Sequence, residues 1–415
     1  MNDNQPSVWK GKIHWLILLC FVPALTYFFL HSFGDISSDH AMFYFNTYSY
    51  GWGGRKLLGT IFNFFYPGQV GRGAMLSFIY TINVVALLFL ILIVGKCLKG
   101  DAGRTGVLAV IFGLFLLSPY SFAKYIGSGW TIHFIDIYFI APTLVGVWVF
   151  MRYRDRWFSY PLILLLSVAA CLTHHVFCSS MLPLIMALFL YDILNNKQKA
   201  VGKTVAYGAI LLSLFVVFLC IMRYSRMTVD IDTFYNSMVS RCPSNLVHHD
   251  KDYAVYMQFF VSNQENIEWG KTFMRDRHVE TVFTLIFMLP LLIALWSPWW
   301  LSVKNASSLK QRLKYLSVWG VSVLFTIPAF ATMIDYGRVF YMFFLCQALL
   351  VLLMCYLDDE HFGQQIDKLY DWGRKHIVAV VAIAVYLGAF SAADWARMPL
   401  VELIMRTFNL SITNC

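Results

Sequence analysis

Charge is what this sequence has least of. Only 13% of its 415 residues are Asp, Glu, Lys or Arg, against roughly 25% in ordinary soluble domains, so a soluble globule of this length is excluded. Acidic residues are scarcer than basic ones, 23 against 32, for a formal net charge of +9. The Lys and Arg are dispersed between apolar runs and form no stripe or arm, so nucleic acid is not the partner they imply. The chain also lacks internal repeats, low-complexity tracts and any stretch that reads as a soluble domain. No A-x-A site follows the first apolar run, 13–32, which exceeds the 7 to 15 residues of a signal-peptide core. Preceded by Lys10 and Lys12, it reads as a retained span.

Apolar residues are there in excess, 59% of the chain, with 17% aromatic. They fall into about eleven runs near the roughly 20 residues a membrane-crossing helix needs: 13–32, 74–95, 106–123, 134–151, 159–173, 177–194, 204–222, 281–300, 315–334, 339–357 and 376–393. The expected fold is an all-α polytopic membrane protein, one transmembrane domain over 1–415. Alternate connections carry the basic residues, among them Lys96, Arg104, Arg152, Arg154, Arg156, Lys199, Lys203, Lys314 and Lys375, which places those connections and the N-terminus inside. An odd number of spans puts the C-terminus outside. Most cysteines, including Cys20, Cys171, Cys220, Cys346 and Cys355, lie in apolar runs, where a thiol acts as a small hydrophobe. Cys242 and Cys415 fall in outer segments and could form one disulfide.

Two outer segments are too long to be turns. Segment 33–73 begins polar, turns aromatic, and runs through Leu57–Tyr66 into Pro67-Gly68; that last stretch is too short to span and is expected to be an interfacial or re-entrant helix. Segment 223–280 is charged, partly helical in pattern, and the natural cap over a cavity that opens outward.

Ionisable groups at membrane depth are costly, so each is a functional candidate. Asp35 and Asp39 share a face if their stretch is helical; as a solvated loop they would be a cap and no more. Arg55 and Lys56 follow Gly51-Trp52-Gly53-Gly54 and suit an anionic headgroup, or anchor the interface together with Trp52. His133 and Asp136 stand three apart at the start of a span, as an imidazole and an orienting carboxylate or simply a helix start with a favourable Asp. His174 and His175 occupy a turn so tight that one ring must face the bundle. A metal pair is disfavoured there, because adjacent positions diverge and no third ligand has the spacing. Asp335 and Arg338 close the connection between two apolar runs and can pair with each other or with a bound phosphate. All lie at outer ends of spans, where one cavity could gather them, whereas transporters place substrate groups near the midplane.

The order of first span, outer loop with Asp35 and Asp39, aromatic stretch and interfacial helix resembles the first extracytoplasmic loop of GT-C type glycosyltransferases. Arg55-Lys56-Leu57-Leu58-Gly59-Thr60, Thr173-His174-His175 and Ile334-Asp335-Tyr336-Gly337-Arg338 are similar to features of multispanning proteins of bacterial O-antigen and capsule loci, among them Wzy-type polymerases and serotype-converting glucosyltransferases. The resemblance implies an enzyme of the bacterial inner membrane working on its periplasmic face. It implies a sugar donor on polyprenyl (di)phosphate and a polysaccharide or lipid-linked acceptor. Asp35 or Asp39 would then be the base, His174 and His175 would position or protonate the leaving oxygen, and Arg55, Lys56 and Arg338 would hold the phosphate, with His133, Asp136 and Asp335 completing the binding site. No cofactor is implied, and a divalent metal has no ligand set in the pattern. A translocase of lipid-linked sugars and a polysaccharide O-acyltransferase are the competing classes.

Overall fold

The structure, a computed structural model, describes residues 41–98, 102–121, 135–195, 199–242, 255–332, 336–357, 359–389 and 407. No strand occurs among them. Two single-turn helices, Met42–Tyr44 and Tyr48–Tyr50, precede α1 (Leu57–Phe65), α2 (Arg72–Cys97), α3 (Ala102–Leu117), α4 (Ile137–Tyr153) and α5 (Ser159–Thr173). There follow α6 (Phe177–Ser180), α7 (Leu182–Asn195), α8 (Ala200–Tyr224), α9 (Ile231–Arg241), α10 (Asn263–Phe287) and α11 (Leu289–Lys304). The order ends with α12 (Leu309–Leu324), α13 (Ile327–Thr332), α14 (Tyr336–Tyr356), α15 (Glu360–Lys375) and α16 (Ile377–Gly388).

Among the described residues four helices are long and apolar enough to cross a membrane: α2, α8, α12 continued into α13, and α14 from Gly337. The end of α10 and α11 make a fifth if that pair, bent by 66°, counts as one span. Helices α3, α4, α5, α7 and α16 are apolar but shorter. The first expected span, 13–32, lies outside the described residues.

Three expected spans are interrupted. Run 177–194 breaks at Met181, just before Pro183, into α6 and α7. Run 281–300 bends at Met288, ahead of Pro290. Run 315–334 breaks at Phe325 and Thr326, ahead of Pro328. In each case a proline lacks the N–H that would continue the ladder, and its ring crowds the preceding turn. Helix α15 is a further departure, because its pattern reads only as a basic connection; Asp359 caps it by accepting from Phe362 N–H at 2.9 Å.

Helix α14 forms the centre. Some 89% of its apolar window is buried, against 33% or less for the other three long helices, whose outward faces are apolar and exposed. Its one polar core side chain, Gln347, accepts from Trp296 Nε1 at 3.1 Å and donates to Ser322 Oγ at 3.1 Å, so α11, α12 and α14 are pinned without an unsatisfied amide. Helix α4 packs between α2 and α5.

The helices run back and forth between two polar ends. At one end α4 and α14 start and α5 finishes. At the other, α4 ends in Arg154, and the roughly 1.5 Å rise per residue puts about 25 Å between the two. At that far end Asp192 of α7 accepts from Lys203 Nζ at 2.6 Å and Tyr207 OH at 2.8 Å, with Arg154 Nε at 3.6 Å. Asp359 accepts from Lys314 Nζ at 2.7 Å, Tyr191 OH at 2.9 Å and Tyr315 OH at 2.5 Å. Arg104 and Asp367 pair at 2.6 Å.

Candidate functional site

The opposite end is built on the loop between Tyr48–Tyr50 and α1. Thr228 N–H donates to Tyr50 O at 2.9 Å and Arg226 N–H to Trp52 O at 2.8 Å, so this loop is laced to the segment that follows α8. The close approach requires a glycine: Gly51 has φ 116°, and a Cβ there would stand 2.4 Å from Arg226 O. Lys56 runs beneath the lacing, buried, with Nζ donating to Tyr50 O at 3.0 Å and near Arg226 O at 3.5 Å and Met227 Sδ at 3.2 Å. Burial among these groups pushes its pKa down to about 8. Lys56 therefore braces the loop through backbone carbonyls.

Arg55 points the other way in function. Its φ of 64° is left-handed, a conformation that costs a non-glycine residue on the order of 1 kcal/mol or more and persists only where the surroundings impose it. What imposes it is the end of α5, since Arg55 N–H donates to Leu172 O at 3.1 Å. The guanidinium then lies over the Phe43 ring at 5.9 Å and sets Nη2 3.3 Å from His174 Nε2.

The histidine turn follows α5 directly, and His174 leaves the helix in an extended conformation. Its ring is buried, edge-on to Phe139 of α4 and 5.2 Å from the ring of His175. His175 is half-buried. Burial first, and then the Arg55 charge, hold His174 well below the usual imidazole range and His175 down to about 4, so both rings are neutral at pH 7.

Asp136 and Arg338 complete the group. They form a two-pronged ion pair, Nε to Oδ2 and Nη2 to Oδ1, both at 2.5 Å, between the starts of α4 and α14, with the carboxylate 1% exposed and the guanidinium 14%. The partners are 202 residues apart in sequence. The pair stands close enough that Arg338 and Asp136 act electrostatically on Arg55, and Arg338 on His174.

Five expected site residues, Arg55, Asp136, His174, His175 and Arg338, are thus brought together from four separate stretches. Asp35, Asp39, His133 and Asp335 lie outside the described residues. Among the described residues Asp136 and Arg338 meet each other across the bundle; the expected neighbours His133 and Asp335 fall outside them. The residues that sequence reasoning missed are Cys171 and Cys178, whose Sγ atoms stand 3.6 Å apart across the histidine turn; their seven-residue spacing becomes a contact only because the helix breaks between them. Among the described residues no three His, Cys, Asp or Glu side chains cluster as a metal site would need.

No protein-family model, curated protein or solved structure matches this chain. The chemistry of the site therefore has to speak from its own residues. Its described residues offer two guanidiniums, a carboxylate engaged with one of them, and two neutral imidazoles at the ends of apolar helices. Such a set favours an anion, because guanidinium forks match phosphate oxygens and their charge is strengthened where water is scarce.

Proposed function

We propose that the chain is a glycosyltransferase or polymerase with about eleven spans, moving sugars from a polyprenyl (di)phosphate carrier to a polysaccharide or lipid-linked acceptor on the outer face of a bacterial inner membrane. The observation that carries the reading is the convergence of Arg55, Arg338, Asp136, His174 and His175 at one end of the apolar bundle. A lipid-linked donor presents its phosphate at that depth, while its tail stays among the lipid-facing helices.

In this reading Arg55 and Arg338 stabilise the charge that grows on the leaving phosphate, which is worth most in a site with little water. The acceptor hydroxyl is a weak nucleophile and needs a carboxylate to take its proton as the new bond forms; Asp35 and Asp39 are assigned that role on their place in the outer loop. Helix α1 leaves Phe64 80% and Phe65 62% exposed, a face suited to the membrane interface beside the point of entry. The basic far end, with Arg154, Lys203 and Lys314, is the inner side by the positive-inside rule.

The test is a gel of surface polysaccharide from cells with and without the gene. Loss of the long ladder with a single repeat retained marks a polymerase, and an intact ladder lacking one branch sugar marks a side-chain transferase. An unchanged polysaccharide ends the proposal and brings a translocase forward. Asp35→Asn and Asp39→Asn variants that insert normally and keep full transfer would remove the base assignment.

A further inference from the structure

The histidine turn brings together two thiols that a continuous helix would hold apart. In an unbroken helix the step from Cys171 to Cys178 is a rise of about 10.5 Å, whereas a disulfide needs its Cα atoms within roughly 7 Å. Here the ladder of α5 ends with His174 N–H on Ala170 O at 3.0 Å and resumes with Phe177 N–H on His174 O at 3.0 Å. Across that break the Sγ atoms of Cys171 and Cys178 stand 3.6 Å apart, one thiol donating to the other.

Both sides of the contact are anchored. Beside Cys171, Leu172 O accepts the Arg55 N–H at 3.1 Å, so the end of α5 supports the loop that carries Arg55. Beyond Cys178, Ser180 Oγ donates to Val176 O at 2.9 Å, and Ser180 O accepts from Cys346 Sγ of the central helix α14 at 3.3 Å. A link between the two sulfurs would therefore tie the Arg55 loop, through α5 and α6, to the centre of the bundle. Cys171 is buried and Cys178 half-buried, so an incoming reagent meets Cys178 first and Cys171 lies behind it.

We propose that Cys171 and Cys178 are a modification site, a disulfide that staples the histidine turn by joining the end of α5 to α6. The proposed function enters in one respect, that this end faces the outer, oxidising side, where disulfides persist. The step is exchange with a disulfide oxidant. Cys178 gives its proton to water and its sulfur attacks the incoming disulfide; that S–S bond breaks and one thiol leaves. Cys171 loses its proton in turn and attacks the Cys178 sulfur, the second thiol leaves, and the Cys171–Cys178 bond remains. The two cysteines give up two electrons and two protons, and the oxidant is reduced to two thiols. The closed ring contains His174 and His175, and it restricts the unfolded chain more than the folded one.

The experiment takes the full chain in micelles, reduces it, removes the reductant and offers oxidised glutathione. N-ethylmaleimide in denaturant then caps the remaining thiols before digestion with trypsin. Peptide 157–197 holds Cys171 and Cys178 and no other cysteine, so its mass reads the outcome. The expected peptide has lost two hydrogens and carries no maleimide. Two maleimides, or glutathione retained on Cys178, would overturn the staple, because the second thiol would then not reach the first. Closure is expected to raise the unfolding temperature by about 2–5 °C over the reduced chain, and Cys178→Ser to abolish that difference. The same rise in the variant would assign it to other cysteines and overturn the proposal. Chain isolated from cells and capped at once tests the orientation separately. A peptide already closed, with Cys97 and Cys355 capped at the far end, supports both readings. A peptide open in cells that closes in micelles would mean that the turn faces a reducing compartment, which removes the outward site and leaves the staple standing.

Discussion

The two polar ends of the bundle solve the problem of buried charge differently. At the far end each buried carboxylate is surrounded by several donors: Asp192 by Lys203, Tyr207 and Arg154, Asp359 by Lys314, Tyr191, Tyr315 and a backbone N–H. Burial alone would raise the pKa of Asp359, yet these donors hold it below the usual carboxylate value. At the site end the described groups are two guanidiniums, one carboxylate and two imidazoles kept neutral. The far end is saturated for its anions and serves to hold helices together. At the site end the described contacts are a single two-pronged ion pair and a guanidinium set against an imidazole.

The sharpest way to break this contrast is Asp136→Ala, which leaves Arg338 buried without its two-pronged partner; a loss of about 3–5 kcal/mol is expected, read as a fall in thermal unfolding temperature in detergent. Adding Arg338→Met should restore most of it, and a double variant as unstable as the single one would show that the pair is not what the carboxylate supports. Next in size is Gly51→Ala. The new methyl collides with a backbone carbonyl at a positive φ, so on the order of 1–3 kcal/mol is expected, with binding at Arg55 lost alongside because the same loop carries it.

Acid separates the ends by pH. His175 has a folded pKa of about 4 against an ordinary 6.5, so the unfolded chain binds more protons between those values. Its contribution is complete above about pH 6.5 and is lost as pH falls towards 4. Asp359 is depressed below 3.8, so its contribution begins to fail only under that value. Unfolding followed against pH should therefore weaken first at the site end, and His175→Gln should flatten the slope between pH 6.5 and 4 without changing it below. The smallest effect is expected from Asp367→Asn, since the Arg104–Asp367 pair is 32% and 46% exposed and such pairs contribute roughly 0–1 kcal/mol. A much larger loss would mean that the far end depends on its rim as well as on its buried carboxylates.

Much of the helical layout was legible from runs of apolar residues, because a helix that faces lipid must be apolar over its whole length. The breaks at Met181, Met288 and Phe325 were less so, although Pro183, Pro290 and Pro328 marked them, since a proline near a helix start is often tolerated. Helix α15 escaped because a charged amphipathic helix and a basic loop look alike until one face is seen to pack.

Site residues were legible one by one, and the contact between Asp136 and Arg338 was not. Arg55, Asp136, His174, His175 and Arg338 stood out because ionisable groups are rare in so apolar a chain, whereas their partners could not be read. Local spacing pointed Asp136 to His133 and Arg338 to Asp335, and Lys56 to a ligand beside Arg55. The tertiary structure joins Asp136 to Arg338 across 202 residues and turns Lys56 under the loop. Composition settled that this chain is a bundle of apolar helices with polar ends, since hydrophobic character is carried residue by residue. Which charges meet at those ends was decided by helix packing, because an ion pair depends on distances of a few ångströms between segments far apart in the chain.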